Sequence, residues 1–211
     1  MGSDLVDNVN ARRHPRVDGA VVAERPRLIE AMATIEGLLG ARPDRQAPYL
    51  LRPPQPGDLG WVVHRHGAVC AQEHEWDEQF EAQAANVVAQ FVHTFDPARE
   101  RGWIAEKDGE VVGSAFLVNL SKTVAGLRLL LVEPKARRLG IGGRLVSECV
   151  RFARQARYRK VVLRTYSLPR AAHRVYERAG FRLVHEEPHH RFGRDLVEQT
   201  WELPLRPVTS Q

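Results

Sequence analysis

Apolar positions in this chain keep a helical step in some stretches and run together as strands in others. Leu28, Met32, Ile35 and Leu39 recur at three- and four-residue intervals, which predicts a helix from Pro26 to Leu39. Pro26 suits its first turn and Gly40 its C-cap. The residues before it are polar, broken by Pro15 and Gly19, and without a period, so 1–25 read as a flexible tail; Ala41 to Pro48 read as a linker. Tyr49-Leu50-Leu51-Arg52 forms a short strand before the turn-rich stretch Pro53 to Gly57. Asp58 is placed as the cap of a helix through Trp61, Val62 and Val69. A second helix runs from Asp77 to about Phe95, with Phe80, Ala84, Val87, Val88 and Phe91 on one stripe.

The middle of the chain changes period. Trp103 to Glu106 and Val111 to Phe116 flank Asp108-Gly109, a tight-hairpin signal. Leu127 to Val132 is almost continuously apolar, as in a strand buried on both faces. A helix from about Gly142 to Ala156 buries Leu145, Val146, Cys149, Val150 and Ala153. Val161 to Leu163 is a further strand, Ala171 to Ala179 a short helix closed by Gly180, and Phe181 to Val184 with Val197 to Leu203 a final strand pair. This order predicts an α/β (α+β) fold: a mostly antiparallel mixed sheet of about six or seven strands, flanked by helices, with one crossover helix. The main domain is placed at residues 49–205, after a helix and linker at 26–48 and before a tail at 206–211.

Composition narrows the partners. With 43% hydrophobic and 27% charged residues in a chain of 211, a globular domain is expected. No apolar run approaches the roughly 18 residues of a membrane span, and nothing near Met1 resembles a signal-peptide core. Cys70 and Cys149 make neither a disulfide framework nor a zinc spacing, so a reducing, cytoplasmic compartment is expected. The net charge is +5, and only four of the 31 basic residues are lysine. Arginine matches phosphate oxygens bidentately, which brings a phosphate-bearing partner to mind, although an arginine-rich composition is equally met on solvated surfaces.

The chemistry concentrates between Leu129 and Leu145. An apolar strand passes through Glu133-Pro134 into Lys135-Ala136-Arg137-Arg138-Leu139-Gly140-Ile141-Gly142-Gly143-Arg144 and then a helix. A glycine turn at a helix start leaves several backbone N–H groups unpaired at the positive end of the dipole, an anion site. A Walker loop would need Gly-Lys-Ser/Thr, which is missing. A dinucleotide fingerprint would need glycine where Leu145 stands. Arg137, Gly140 and Gly142 meet R-x-x-G-x-G, and in that form the segment resembles the pyrophosphate loop of the GNAT N-acetyltransferase superfamily. About 30 residues on, Tyr176-Glu177-x-x-Gly180-Phe181 is similar to that superfamily's second signature. Tyr49 to Gly67 and His189 to Leu196 also resemble the acetyltransferase half of bacterial proteins that fuse a MarR-type regulator to a GNAT domain, the helix Leu28–Leu39 matching the regulator's end.

The resemblance implies a GNAT sheet with splayed central strands and acetyl-CoA as cosubstrate, without a metal. It implies that Arg137, Arg138, Leu139, Gly140, Ile141, Gly142, Gly143 and Arg144 hold the pyrophosphate, largely through backbone N–H groups. Leu130, Leu131 and Val132 would pair with the pantetheine arm, the Val132 N–H facing the oxyanion, and Tyr166 would add a cofactor contact. Tyr176 matches the family's general acid. Glu133 is the first candidate for the general base, or an anchor of the loop, with Glu106 in reserve. The asparagine that the family often carries before the tyrosine has no counterpart in Thr165 to Arg170. His64, His66, His189 and His190 border the acceptor region and are taken as surface histidines. The expected reaction is acetyl transfer to a primary amine of a small molecule, peptide or protein; the alternative is an acyl-CoA-sensing or regulator-associated module without turnover. Direct DNA binding is not expected, and a homodimer is the usual default for such folds.

Overall fold

A computed structural model describes residues 49–166 and 170–205. The helix expected over Pro26–Leu39 and the tails at either end lie outside those residues. The element order is β1 (Leu50–Arg52), α1 (Asp58–His74), α2 (Glu78–His93), β2 (Arg101–Lys107), β3 (Glu110–Asn119), β4 (Val124–Val132), a 3-10 turn (Pro134–Ala136), α3 (Ile141–Gln155), β5 (Lys160–Tyr166), α4 (Arg170–Arg178), β6 (Arg182–Arg191) and β7 (Arg194–Pro204). The strands form one seven-stranded sheet in the order β1-β2-β3-β4-β5-β7-β6. Every neighbouring pair is antiparallel except β4 with β5, which α3 connects as the crossover. The mixed, mostly antiparallel sheet flanked by helices is thus present.

Hairpin turns follow local chemistry. Asp108 and Gly109 both adopt positive φ (53° and 80°), as a type I′ turn requires, and Lys107 faces Glu110 across it. Phe192 and Gly193 do the same between Arg191 and Arg194. That second hairpin is far longer than the sequence suggested. His189 and His190 sit in β6, not in a loop. The strand is exposed along nearly its whole length, so no alternation of apolar and polar positions marks it.

Each sheet face carries its own helices. On one, α3 buries Leu145, Val146, Cys149 and Ala153 completely against Ala125, Leu127, Val161 and Leu163, and α4 adds Tyr176. On the other, Val62 of α1 with Val88 and Phe91 of α2 covers Ile104 and Phe116. Arg52 fixes the entry to α1: its guanidinium bonds both Asp58 oxygens (2.5 and 3.1 Å) and Glu106 of β2 (2.6 Å). Burial alone would raise the Asp58 carboxyl, but Arg52 and the Gln55 N–H outweigh it and hold it below its usual range. Asp58 is therefore the first helical residue and a buried anchor, while Gly57 occupies the cap.

Two irregularities in β4 shape the site. Ser114 pairs with Leu131 and Phe116 with Arg128, so the single residue Ala115 faces two, Leu129 and Leu130. This is a β-bulge. Leu129 adopts φ 49°, a left-handed conformation that costs a bulky residue about 1–3 kcal/mol, and the fully buried Ser114 Oγ donates to its carbonyl at 2.9 Å. Beyond the bulge β4 leaves β5: parallel pairing covers only Val124–Leu127 with Lys160–Leu163, while β5 stays paired to β7 as far as Tyr166. The expectation of a strand buried on both faces therefore fails for Arg128, Leu129, Leu130 and Val132, which are only partly covered where β4 leaves β5.

Ser114→Ala should lower unfolding free energy by about 1–3 kcal/mol, since it strands the Leu129 carbonyl without a donor. Urea denaturation with far-UV circular dichroism measures it. A loss below 0.5 kcal/mol, roughly the scatter of neutral substitutions, would show that the bulge holds without the hydroxyl.

Candidate active site

The parted strands leave backbone groups exposed along one edge. The Glu133 N–H donates to Val112 O at 2.9 Å across the β3 edge. Successive residues of an extended strand turn their N–H and C=O to opposite edges, so those of Val132 and Leu130 face the open side. The Val132 carbonyl there accepts from Arg137 Nε at 3.3 Å.

The turn after β4 adds a second set of backbone donors. Gly140 has φ 81°, a left-handed value that favours glycine, and it starts α3 without a capping side chain. The first N–H to find a backbone carbonyl is that of Arg144, which bonds Gly140 O at 3.0 Å; those of residues 138–143 have no backbone acceptor. A Cβ on Gly143 would meet nothing within 4 Å, and one on Gly142 only Val132 at 3.6 Å, so the space over the turn is open. The side chains nearby are largely engaged. Arg137 pairs with Glu73 of α1 (2.8 and 2.9 Å), and Arg144 pairs with Glu148 at 3.3 Å. Arg138 and Leu139 are exposed.

Between β4 and β5 lies a cavity of about 180 Å³, floored by Leu127 to Leu131 and walled by Leu163 to Tyr166. His66, Cys70 and Trp76 close it from α1 and its C-terminal turn, Phe80 and Gln83 from α2, and Tyr176 reaches it from α4. Tyr176 is buried beside Trp201 and Phe181, with ring centroids at 6.0 and 6.4 Å, and it lines the cavity together with Thr165. Burial pushes its pKa up to about 12, so it stands as a phenol with its proton. The Cys70 thiol is likewise pushed up to about 12 by burial, and no thiolate forms there near neutrality.

The other sequence-predicted residues fall into place differently. Leu130 and Leu131 line the cavity, as does Tyr166. Tyr166 belongs to an aromatic cluster with Trp76 (5.2 Å) and Phe192 (5.3 Å). Glu133 is buried and holds Arg65 bidentately, Nε–Oε1 2.5 Å and Nη2–Oε2 2.9 Å, and it does not line the cavity. Glu106 is tied to Arg52. His66 is no surface residue: it is 4% exposed, and its Nδ1 lies 2.8 Å from Val62 O. A carbonyl only accepts, so Nδ1 carries the proton, and the bare Nε2 is a buried acceptor with no partner. Burial lowers its pKa to about 4 and keeps the ring neutral. Its step of four from Val62 in an amphipathic helix was the available signal. Among the described residues no helix is long and apolar enough to cross a membrane, and no group of three or more His, Cys, Asp or Glu could hold a metal ion.

Comparison with known proteins agrees with this geometry. The model of the acetyltransferase (GNAT) family matches residues 66–181, more than half of the chain. The chain belongs to that family. It is 40% identical over 84 residues to a probable N-acetyltransferase camello of Xenopus tropicalis, covering 38% of this chain and 37% of that protein. It is 36% identical over 89 residues to the N-acetylaspartate synthetase of the same organism, covering 42% of this chain and 33% of that protein. The chain thus spans about a third of the length of these curated relatives. Its fold matches a putative acetyltransferase of Salmonella typhimurium solved with its cofactor acetyl-CoA: TM-score 0.64, 18% identity, 77% of this chain and 97% of the other. It also matches the spermidine N-acetyltransferase of Vibrio cholerae: TM-score 0.59, 15% identity, 75% and 96% covered.

His66 links stability to pH. Between pH 6.5 and 4 the unfolded chain takes up a proton at this histidine that the folded chain refuses, so stability is full above 6.5 and falls as the pH drops through that window. The loss attributable to this residue approaches about 3 kcal/mol. Urea denaturation at pH 7, 6, 5 and 4 should show a shallower fall for His66→Phe than for the native chain, and parallel curves would assign the effect elsewhere.

Proposed function

We propose that this chain is an acetyl-CoA-dependent N-acetyltransferase whose catalytic unit is residues 49–205, acting on a primary amine by direct attack. One observation carries the reading: Tyr176 shares a cavity with Leu130 and Leu131 where β4 parts from β5, and the same strand end runs at Val132 into a glycine turn whose N–H groups have no backbone acceptor. A thioester with a pyrophosphate-bearing arm fits that set, extended arm to extended edge and anion to helix start. Family membership and the acetyl-CoA-bound fold relative support the choice of cosubstrate.

Acetyl-CoA supplies the activated acetyl group. Arg138 and the backbone of residues 138–143 hold the pyrophosphate, while Arg137, engaged by Glu73, braces the turn against α1. Leu130 and Leu131 flank the arm, and the Val132 N–H donates to the thioester oxygen as negative charge develops on it, a contribution of about 3 kcal/mol for one such donor. The amine nitrogen bonds the acetyl carbon as the C–S bond breaks. Tyr176 gives its proton to the departing thiolate, whose parent thiol has a pKa of about 8.5, and its phenolate takes up the proton that the acylated nitrogen sheds. Glu133 serves as the loop anchor through Arg65, because both its oxygens are taken. Tyr166 belongs to the acceptor wall. The two free cysteines suit a reducing cytoplasm.

Release of free thiol from acetyl-CoA over a broad amine panel tests the assignment. Tyr176→Phe should cut turnover by an order of magnitude or more while changing coenzyme A affinity less than about twofold. Because the Tyr176 pKa is pushed up to about 12, its ionisation should cause no loss of native turnover up to pH 10. Coenzyme A binding without thiol release from any amine would instead indicate a sensor.

A further inference from the structure

Arg128 is the one charge in the otherwise apolar stretch Val124–Val132, and the bulge leaves it half-buried in the wall of the cavity. It lies across from Phe116, on the α1–α2 side of the sheet, opposite the face that α3 covers. Of its five N–H donors, the structure commits one contact, Nη1 to Leu127 O at 3.0 Å. Among the described residues no carboxylate lies within ion-pair distance of it. The lining contains a second arginine, Arg164, and neither Asp nor Glu. Arg164 is turned to Glu198 at 3.7 Å, and Glu198 reaches Arg128 only at longer range. Two guanidinium groups therefore share one carboxylate at the rim of an aromatic-walled cavity. Burial and the repulsion of Arg164 both pull the Arg128 pKa down, which marks a cation lacking a counter-charge. The neutral His66 adds none.

We propose that the acceptor is an amine that also carries a carboxylate, such as a free amino acid, and that Arg128 binds that carboxylate through its uncommitted fork. This rests on the acetyltransferase reading of the same cavity and adds the substrate class. A carboxylate would complete the charge balance and satisfy planar donors that match it bidentately. A diamine or polyamine would set a second cation against the half-buried Arg128. The same positive wall also favours the unprotonated form of the attacking amine.

Calorimetric titration of the full chain saturated with coenzyme A, so that no turnover occurs, tests the proposal. The probes are L-alanine, L-phenylalanine and L-aspartate, each beside its α-carboxamide, together with 1,4-diaminobutane. At least one free amino acid should bind ten times more tightly than its carboxamide, with the diamine weakest. Arg128→Gln should abolish that preference, Arg128→Lys should restore part of it, and coenzyme A affinity should change less than twofold in both. Equal binding of acids and carboxamides, tight binding of the diamine, or a preference kept in Arg128→Gln overturns the proposal. If Arg128→Gln fails to fold, the native chain's preference decides alone. Thiol release separates the two readings. Release with equal efficiency from carboxamides removes the carboxylate site and leaves the transferase. A carboxylate preference without release from any amine does the reverse.

Discussion

After the Leu127–Leu163 pair β4 parts from β5, and the candidate site is built around that break. A sheet gains by continuing its ladder, and an interrupted one leaves backbone donors and acceptors without partners. The interruption is built in. The extra residue of the bulge bends β4, the strained Leu129 conformation is held by Ser114, and β5 follows β7 instead. Helices close both faces, so the gap opens into a cavity and not into bulk solvent alone. The unsatisfied edge is where an extended ligand gains most.

The charges around that gap divide into bracing and recognition. Arg52, Arg65 and Arg137 each hold a carboxylate from a distant part of the chain, joining α1 to β1, β2 and the ends of β4. Such partly buried pairs fix geometry more than they add stability. What they fix is the turn that presents the N–H groups of residues 138–143. In the proposed reading these arginines brace the turn from behind, and the anion meets backbone N–H groups. Arg128 stands apart as a cation inside the cavity without an acid beside it.

Much of this was legible in the sequence. Helical spacing located the helices among the described residues, Asp108-Gly109 located the first hairpin, and the glycine turn with Tyr176 pointed to the family. What escaped depended on tertiary context. The bulge rests on Ser114, which looks like any polar residue in a strand. The length of the β6–β7 hairpin escaped because β6 is exposed along nearly its whole length and carries no apolar alternation. The ion pairs of Arg137 with Glu73 and of Glu133 with Arg65 join residues more than sixty positions apart, which no local pattern records. His66 and Arg128 were visible as single polar residues in apolar patterns, and that mismatch was the signal to follow.

Amide hydrogen exchange resolved by residue, with and without coenzyme A, tests most directly whether the gap is the cofactor channel. On saturation, exchange at Val132 and at residues 138–143 should slow by at least tenfold, while the exposed amides of β6 keep their rates. Unchanged rates at Val132 and the turn, with protection appearing on β6 or on the outer faces of the helices instead, would contradict it.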